Sequence, residues 1–261
     1  MASLDSAWLK FNRGREHVEA AQDAVDDWLG TDAYTISREV DPQTGDTVRR
    51  AQVQADPPRR ISLLIGDAVY NLRSALDHAV YALAQSQLGT LTPEVEEALM
   101  FPIVGNQNSK GQPADGSVIF DDAVRRGRLQ GVPDAAIAFI KKEQPYHWKP
   151  GFEFHWLWTL HELNRIDKHR RVALTTAFLD FQFVSTPSNV EPRITFHRAE
   201  GPVEDGDPLV TYSGADEGVD AQFTRDVAVN EGVMAGYSVE RLLPPIQQRV
   251  EWITTVLANF L

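Results

Sequence analysis

Residues 152–171 read FEFHWLWTLHELNRIDKHRR, and this stretch combines aromatic bulk, several ionisable side chains and a strong helical period. Three of its apolar residues recur with the three- and four-residue spacing of one helix face. They are Trp156, Leu160 and Leu163. We therefore predict an α-helix over residues 153–171 that buries this face against the rest of the protein.

Asp167 falls on the same face one turn later, which is unusual for a charged side chain. Burying an ionised carboxylate is costly unless another group pairs with it or donates hydrogen bonds to it. Two interpretations are open: Asp167 is an active-site acid that orients a histidine or a substrate, or it forms a structural ion pair with Arg73 or Arg170. In the second case it belongs to a structural polar network with Asn164 and Asp77.

Residues 59–88 predict a second long helix, which Gly89 ends. Its broad apolar arc is typical of a central helix in a bundle. Asn71 and His78 lie along one border of that arc, whereas Arg73 lies on the opposite border. Because successive residues of a helix are rotated by about 100°, Arg73 and His78 diverge by about 140°.

Asn71 and His78 on this border are candidates for acid–base catalysis. A histidine at the margin of a core serves as a general acid or base, and an amide such as Asn71 can hold its tautomer. The alternative is a boundary histidine whose hydrogen bonds are satisfied inside the bundle. Arg73 and Asp77 stand four residues apart with opposite charges, and such a pair commonly only stabilises its helix by about 0.2–0.5 kcal/mol.

The periodicity of the whole chain predicts a mainly helical α+β protein. Amphipathic stretches predict further helices, and stretches with a period of two predict a hairpin and several C-terminal strands. We expect one domain over residues 1–261, in which a four-helix bundle packs with an antiparallel sheet. The bundle helices are predicted at residues 3–29, 59–88, 153–171 and 239–261, and the sheet at residues 33–54 and 172–230. Shorter helices are predicted near residues 93–99, 118–128 and 134–143, and the C-terminal strands at 172–184, 192–198, 208–213 and 221–230.

The composition predicts a folded, soluble protein, because 43% of the 261 residues are hydrophobic. No stretch approaches the roughly 20 apolar residues of a transmembrane helix, and the N-terminus lacks the pattern of a signal peptide. We therefore expect a cytoplasmic protein with no membrane partner. The net charge of −12 disfavours non-specific binding along a phosphate backbone. The absence of cysteine excludes disulfides, thiolate zinc sites and a cysteine nucleophile.

Metal binding is a competing chemistry, because helical bundles bind metals through inward His and carboxylate side chains. The helical wheel, however, places His155 and His161 on different faces, and no His-x3-His pair occurs in the chain. Neither a glycine-rich phosphate loop after a strand nor a Gly-x-Ser-x-Gly elbow is present. We therefore predict no metal site and no cofactor.

Four motifs occur in order along the chain, and together they resemble a family of uncharacterised bacterial proteins over about residues 60–175. This resemblance implies no activity. The motifs are NLRSALDH at residues 71–78, FPI at 101–103, QPY at 144–146 and LNRIDKHR at 163–170.

The segment Arg73-Ser-Ala-Leu-Asp-His78 also resembles the Arg-x4–6-His motif of HEPN (higher eukaryote and prokaryote nucleotide-binding) domains. These helical bundles often dimerise and cleave RNA without metal in toxin and phage-defence systems. The resemblance implies a HEPN-like bundle, RNA or a nucleotide as partner, and a homodimer. His78 would then handle the proton of the 2′-hydroxyl or leaving group, Arg73 would steady the phosphate charge, and Asn71 would assist them.

In the same interpretation the basic end of the helix over residues 153–171 would bind the substrate. It consists of Lys168, His169 and Arg170. Cations are favoured at a helix C-terminus, however, and this accounts for the basic end without any ligand. The alternative function is a non-enzymatic interaction or ligand-binding protein, in which the buried polar network is structural.

Overall fold

The computed structural model describes residues 3–185, 193–197, 201–212 and 220–261. Within these ranges the chain is a mainly helical α+β protein, with seven α-helices and two small antiparallel sheets. The predicted fold class is confirmed at this level of detail. The finer prediction, a HEPN-like four-helix bundle, stays a prediction.

The long helices lie where the apolar periodicity predicts them. No helix in the described ranges is long and apolar enough to cross a membrane. The helices are α1 (Asp5–Leu29), α2 (Arg59–Leu88), α3 (Pro93–Ala98), α4 (Gly116–Arg125), α5 (Asp134–Lys142), α6 (Trp156–His169) and α7 (Val239–Leu257). Short 3₁₀ turns follow or precede them at Pro145–His147, Phe152–Phe154, Gly232–Met234 and Ala258–Phe260.

Helix α6 begins three residues later than predicted, and the reason is its N-cap. A 3₁₀ turn occupies Phe152–Phe154, and the extended backbone of His155 then separates that turn from α6. The ring nitrogen Nδ1 of His155 accepts a hydrogen bond of 3.2 Å from the backbone N–H of Leu157. This bond satisfies one of the N–H groups that the first turn of a helix leaves without an acceptor.

The strands form two sheets, whereas the sequence analysis predicted one. Four strands pair in the order β1-β2-β6-β4, and three pair in the order β5-β3-β7. The period of two predicted these strands except for the two-residue strand Gly201–Pro202, but it carries no information about which strands pair. The strands are β1 (Tyr34–Val40), β2 (Thr47–Val53), β3 (Leu174–Ser185), β4 (Ile194–Phe196), β5 (Gly201–Pro202), β6 (Pro208–Tyr212) and β7 (Asp220–Val229). Residues 192, 198 and 213 of the predicted strands lie outside the described residues.

The described residues fall into two compact units. The first unit comprises Met1–Glu19, Leu64–Arg171 and Leu243–Leu261, and it contains α3, α4, α5 and α6. The second comprises Ala20–Leu63 and Val172–Leu242, and it contains all of the strands named above. The prediction of a single domain over residues 1–261 stays a prediction.

Two glycines let helices of the first unit approach each other closely. A Cβ atom at Gly14 of α1 would lie 2.8 Å from Cγ of Leu72 in α2, which is closer than carbon atoms pack. A Cβ atom at Gly66 of α2 would overlap the carboxylate of Asp167 in α6. The missing side chains therefore allow α1 and α6 to pack against the backbone of α2.

Gln144 of the QPY motif holds the residue that follows the FPI motif, Val104, inside the first unit. Its side-chain oxygen Oε1 accepts a hydrogen bond of 2.9 Å from the N–H of Val104, and its Nε2 donates to the carbonyl of Ile140 at 2.9 Å. The N–H of Tyr146 donates to the carbonyl of Val104 at 3.0 Å. Since Gln144 is fully buried, these bonds give the two motifs a structural role.

Candidate functional site

Arg73 of α2 lies in a closed, internal set of hydrogen bonds. Its Nη1 donates to Oδ1 of Asp77 at 2.8 Å, and its Nη2 donates to the carbonyl of Phe101 at 2.7 Å. The N–H of Phe101 donates to the same carboxylate oxygen at 2.8 Å. Arg73 is only 7% exposed, so its charge is used to hold the FPI segment against α2. The pairing of Arg73 with Asp77 that the sequence predicted is confirmed.

His78 points to a different place, the wall of a cavity of about 380 Å³. Its ring nitrogen Nδ1 lies 2.5 Å from the hydroxyl oxygen of Ser6, in the first turn of α1. Such a volume is within the range of small-molecule sites, roughly 300–1,000 Å³. We call this cavity the His78 pocket. It is lined by Ser3, Ser6, Asp77, His78, Tyr81, Ala82, Gln85 and Leu99.

The surroundings of His78 favour its neutral form. Burial lowers the pKa of His78, and the positive charge of Lys10 lowers it further, while the negative charge of Asp77 acts in the opposite direction. A neutral imidazole keeps one ring nitrogen free of a proton. His78 is therefore able to accept a proton from a hydroxyl group near neutral pH, as a general base must.

The other predicted catalytic and substrate-binding residues do not line the His78 pocket, whereas Asp77 of the predicted polar network does. The amide nitrogen Nδ2 of Asn71 donates to the carbonyl of Asp67, one turn back in α2, at 2.8 Å. Lys168, His169 and Arg170 are exposed at the end of α6. The structure therefore brings neither the predicted amide helper nor the predicted substrate-binding residues to His78.

Asp167 is half-buried and lies against the backbone of α2 at Gly66. Burial raises the pKa of Asp167, and the negative charge of Asp67 raises it further. Arg73, one of the two expected partners, is paired with Asp77 instead. Asp167 makes no ion pair or hydrogen bond with the residues that the structure describes, so the expected protein partner is not found there.

Asn164 is buried on α6 and is only 5% exposed. Its side-chain oxygen Oδ1 has no hydrogen-bond partner among the described residues. The described part of the chain also holds no group of three or more His, Asp or Glu side chains arranged for a metal ion. The predicted network of Asn164, Asp167 and Asp77 is therefore divided, because Asp77 belongs to the hydrogen bonds of Arg73.

Ser6 is the pocket residue that contacts the ring of His78, and the sequence did not indicate it. It lies 72 positions before His78, and no motif links the two residues. The position of Ser6 in the first turn of a predicted helix is a weak signal. Serine is common at the start of helices, so this position does not distinguish a functional serine from a structural one. Tyr81 and Gln85 were missed as well, although they follow His78 at the three- and seven-residue spacing of one face of α2.

Comparisons of this chain with protein-family models, with curated proteins and with solved structures give no match.

Proposed function

We propose that His78 is the general base of an enzyme and that the His78 pocket binds its substrate. The observation that supports this proposal is the distance of 2.5 Å between the hydroxyl oxygen of Ser6 and Nδ1 of His78 at a cavity of about 380 Å³. A hydroxyl nucleophile and a neutral imidazole within hydrogen-bond reach are the two groups that covalent acyl transfer requires.

The reaction that fits this pair best is the hydrolysis of a small carboxylic ester. The Ser6 oxygen attacks the ester carbonyl carbon, and the Ser6 proton passes to His78. The protonated ring then gives that proton to the leaving alcohol, which leaves an acyl ester on Ser6. Water, deprotonated by His78, hydrolyses this ester and restores both side chains.

The position of Ser6 supports this assignment. Ser6 is exposed in the first turn of α1, where backbone N–H groups lack acceptors within the helix. Such N–H groups stabilise the oxyanion that forms when a carbonyl is attacked. Of the pocket-lining residues, Asp77 carries a negative charge, which disfavours an anionic substrate, and Ala82 and Leu99 provide apolar contacts.

The second candidate is RNA cleavage, as the HEPN resemblance implies. The histidine of the motif does face an open pocket, and the positive charge of Lys10 acts on it. In this reaction His78 would take the proton of a ribose 2′-hydroxyl, which would occupy the place of the Ser6 hydroxyl. A homodimer with a HEPN-like bundle would supply further cations for the phosphate.

Two substitutions separate the candidates. Ester hydrolysis is followed with p-nitrophenyl acetate and butyrate, and RNA cleavage with a mixed-sequence RNA, with and without EDTA. If Ser6 is the nucleophile, Ser6→Ala and His78→Ala each lower ester hydrolysis by about 10²–10⁴-fold. If the 2′-hydroxyl is the nucleophile, only His78→Ala lowers RNA cleavage. Ser86→Ala is the matched control, because Ser86 lies on α2 outside the pocket and its hydroxyl donates to the carbonyl of Leu83.

Wild-type protein that turns over neither substrate would contradict both candidates. The same holds if His78→Ala keeps the full activity of the wild type. The chain would then be a non-enzymatic interaction or ligand-binding protein, in which the hydrogen bonds of Arg73 and Asp77 are structural and the His78 pocket binds a ligand without reaction.

A further inference from the structure

The His78 pocket has a carboxylate and an aromatic ring side by side in its wall. Asp77 and Tyr81 both line this cavity, and they stand four residues apart on α2, a spacing that brings their Cβ atoms to about 5–6 Å. The hydroxyl of Tyr81 donates a hydrogen bond of 2.7 Å to Oε1 of Glu96 in α3. A second carboxylate therefore lies at the hydroxyl end of the ring.

The carboxylate of Asp77 remains accessible to a ligand although it also pairs with Arg73. Arg73 and the N–H of Phe101 both donate to Oδ1, and neither bond uses Oδ2. The Asp77 side chain is 34% exposed and lines the cavity. Arg73 offsets part of the charge of Asp77, and the Glu96 carboxylate adds a second negative charge beside Tyr81.

The nearest lysine lies toward the other end of α2. The described lining of the pocket contains no lysine or arginine. The positive charge of Lys10 acts on His78, but Nζ of Lys10 lies 5.6 Å from the centre of the Tyr70 ring. Tyr70 precedes Tyr81 by about three turns of α2, or about 16 Å. The part of the pocket beside Tyr81 therefore favours a cation.

We propose, on the basis of the ester hydrolysis proposed above, that the leaving alcohol of the substrate carries an ammonium group. The ring of Tyr81 attracts this group by a cation–π interaction, and the carboxylates of Asp77 and Glu96 add to the attraction. The ammonium belongs to the alcohol because Tyr81 lies on α2 beside His78, which protonates that alcohol, whereas Ser6 on α1 takes the acyl group. The ammonium itself is unchanged: water cleaves the ester into a carboxylic acid and an amino alcohol.

Binding of choline to the full chain tests the ammonium site without any reaction. Choline carries a quaternary ammonium, and 3,3-dimethylbutanol has the same shape without the charge. Ligand-observed NMR titration at constant ionic strength measures the Kd of each. A ligand of this size binds weakly, so we expect a Kd of about 1–10 mM for choline. The Kd of 3,3-dimethylbutanol is expected to be at least about 10-fold higher.

Variants of Tyr81 and Glu96 assign choline to this place. Tyr81→Leu removes the ring and is expected to raise the Kd of choline at least about 10-fold, whereas Tyr81→Phe keeps the ring and is expected to change it less than about 3-fold. Glu96→Gln removes a charge and is expected to raise the Kd about 2–5-fold. Because Glu96 is exposed, this variant keeps the test valid even if Tyr81→Leu fails to fold. Tyr70→Leu is the matched control, since Tyr70 lies on the same helix outside the lining, and it is expected to bind choline as wild type does.

Equal Kd values for choline and 3,3-dimethylbutanol would overturn the proposal. The same holds if Tyr81→Leu or Glu96→Gln binds choline as tightly as wild type does. Absence of choline binding at about 100 mM, which is far above the expected Kd, would also overturn it.

Two esters separate the ammonium site from the ester hydrolysis on which it depends. Acetylcholine and 3,3-dimethylbutyl acetate have the same shape and differ in charge, and wild type is expected to hydrolyse acetylcholine with a kcat/KM at least about 10-fold higher. Hydrolysis of both esters with equal kcat/KM would support ester hydrolysis and overturn the ammonium site. Choline binding that Tyr81→Leu removes, in a protein that hydrolyses neither ester, would support the ammonium site and contradict ester hydrolysis.

Discussion

Replacing Arg73 by alanine distinguishes a structural arginine from one that binds phosphate. In the structure its guanidinium donates to Asp77 at 2.8 Å and to the carbonyl of Phe101 at 2.7 Å, and the residue is 7% exposed. A structural role predicts a loss of stability. A role in phosphate binding predicts a loss of RNA cleavage with little change in stability.

The expected loss of stability follows from the two contacts. Without Arg73 the carbonyl of Phe101 loses its donor inside the protein, which costs about 1–3 kcal/mol. Loss of the ion pair with Asp77 costs less, about 0.2–1 kcal/mol, because the Asp77 side chain is 34% exposed. Asp77 also still accepts a hydrogen bond from the N–H of Phe101. The sum, about 1–4 kcal/mol, corresponds to a fall in Tm of roughly 2–16 °C for a chain of this size.

Thermal and urea melts followed by circular dichroism measure this loss. Arg13→Ala is the matched control, because Arg13 forms an ion pair with Glu16 at the same distance of 2.8 Å, but with side chains 60% and 58% exposed. Arg13→Ala is expected to change the free energy of unfolding by less than about 0.5 kcal/mol. The structural interpretation would be refuted if both variants had the same Tm.

Two further predictions concern Gly66 and His155. Gly66→Ala is expected to destabilise the protein by about 1–3 kcal/mol through overlap with the Asp167 carboxylate, and Asp167→Ala is expected to relieve most of this loss in a urea double-mutant cycle. Strictly additive losses would contradict this contact. Burial lowers the pKa of His155 to about 4, with Arg249 adding to the effect. In the unfolded chain His155 has its ordinary pKa of about 6.5, so it takes up a proton there at a higher pH than in the folded protein. The free energy of unfolding is therefore unaffected by His155 above about pH 6.5 and decreases as the pH falls from about 6.5 toward 4. His155→Asn keeps an N-cap acceptor, so its urea midpoint should change less than that of wild type between pH 7 and 4, and equal changes would count against the prediction.

The sequence predicted the helices well where local chemistry sets their ends. Helix α2 covers residues 59–88 as predicted, because Pro57 and Pro58 precede it and Gly89, with φ of 72°, ends it in the left-handed conformation. The start of α6 was missed by three residues. Its N-cap is a histidine ring that accepts from the backbone, and the residue type alone does not indicate this use.

At the candidate sites, too, the sequence predicted the contacts between residues that are close in the chain and missed the long-range contacts. The four-residue spacing of Arg73 and Asp77 predicted their ion pair, because both residues lie on one helix. The contact of Arg73 with the carbonyl of Phe101 and that of His78 with the hydroxyl of Ser6 were not predictable. In both cases tertiary packing brings the partner from a distant segment of the chain. The apolar periodicity did identify Asp167 as unusual, but the pairing of Arg73 with Asp77 removed one of the two partners that we expected for it.

The geometry of α2 also distinguishes the two reactions that we propose for the His78 pocket. Arg73 and His78 are five residues apart, and this spacing rotates their side chains by about 140°. Arg73 consequently contacts Phe101, whereas His78 contacts Ser6. One chain in this arrangement does not bring the arginine and the histidine of the Arg-x4–6-His motif to one phosphate, so RNA cleavage needs Lys10 or a second copy of the chain to supply the cation. The proposed ester hydrolysis needs no such cation, because Ser6, the nucleophile that we propose for it, lies 2.5 Å from Nδ1 of His78.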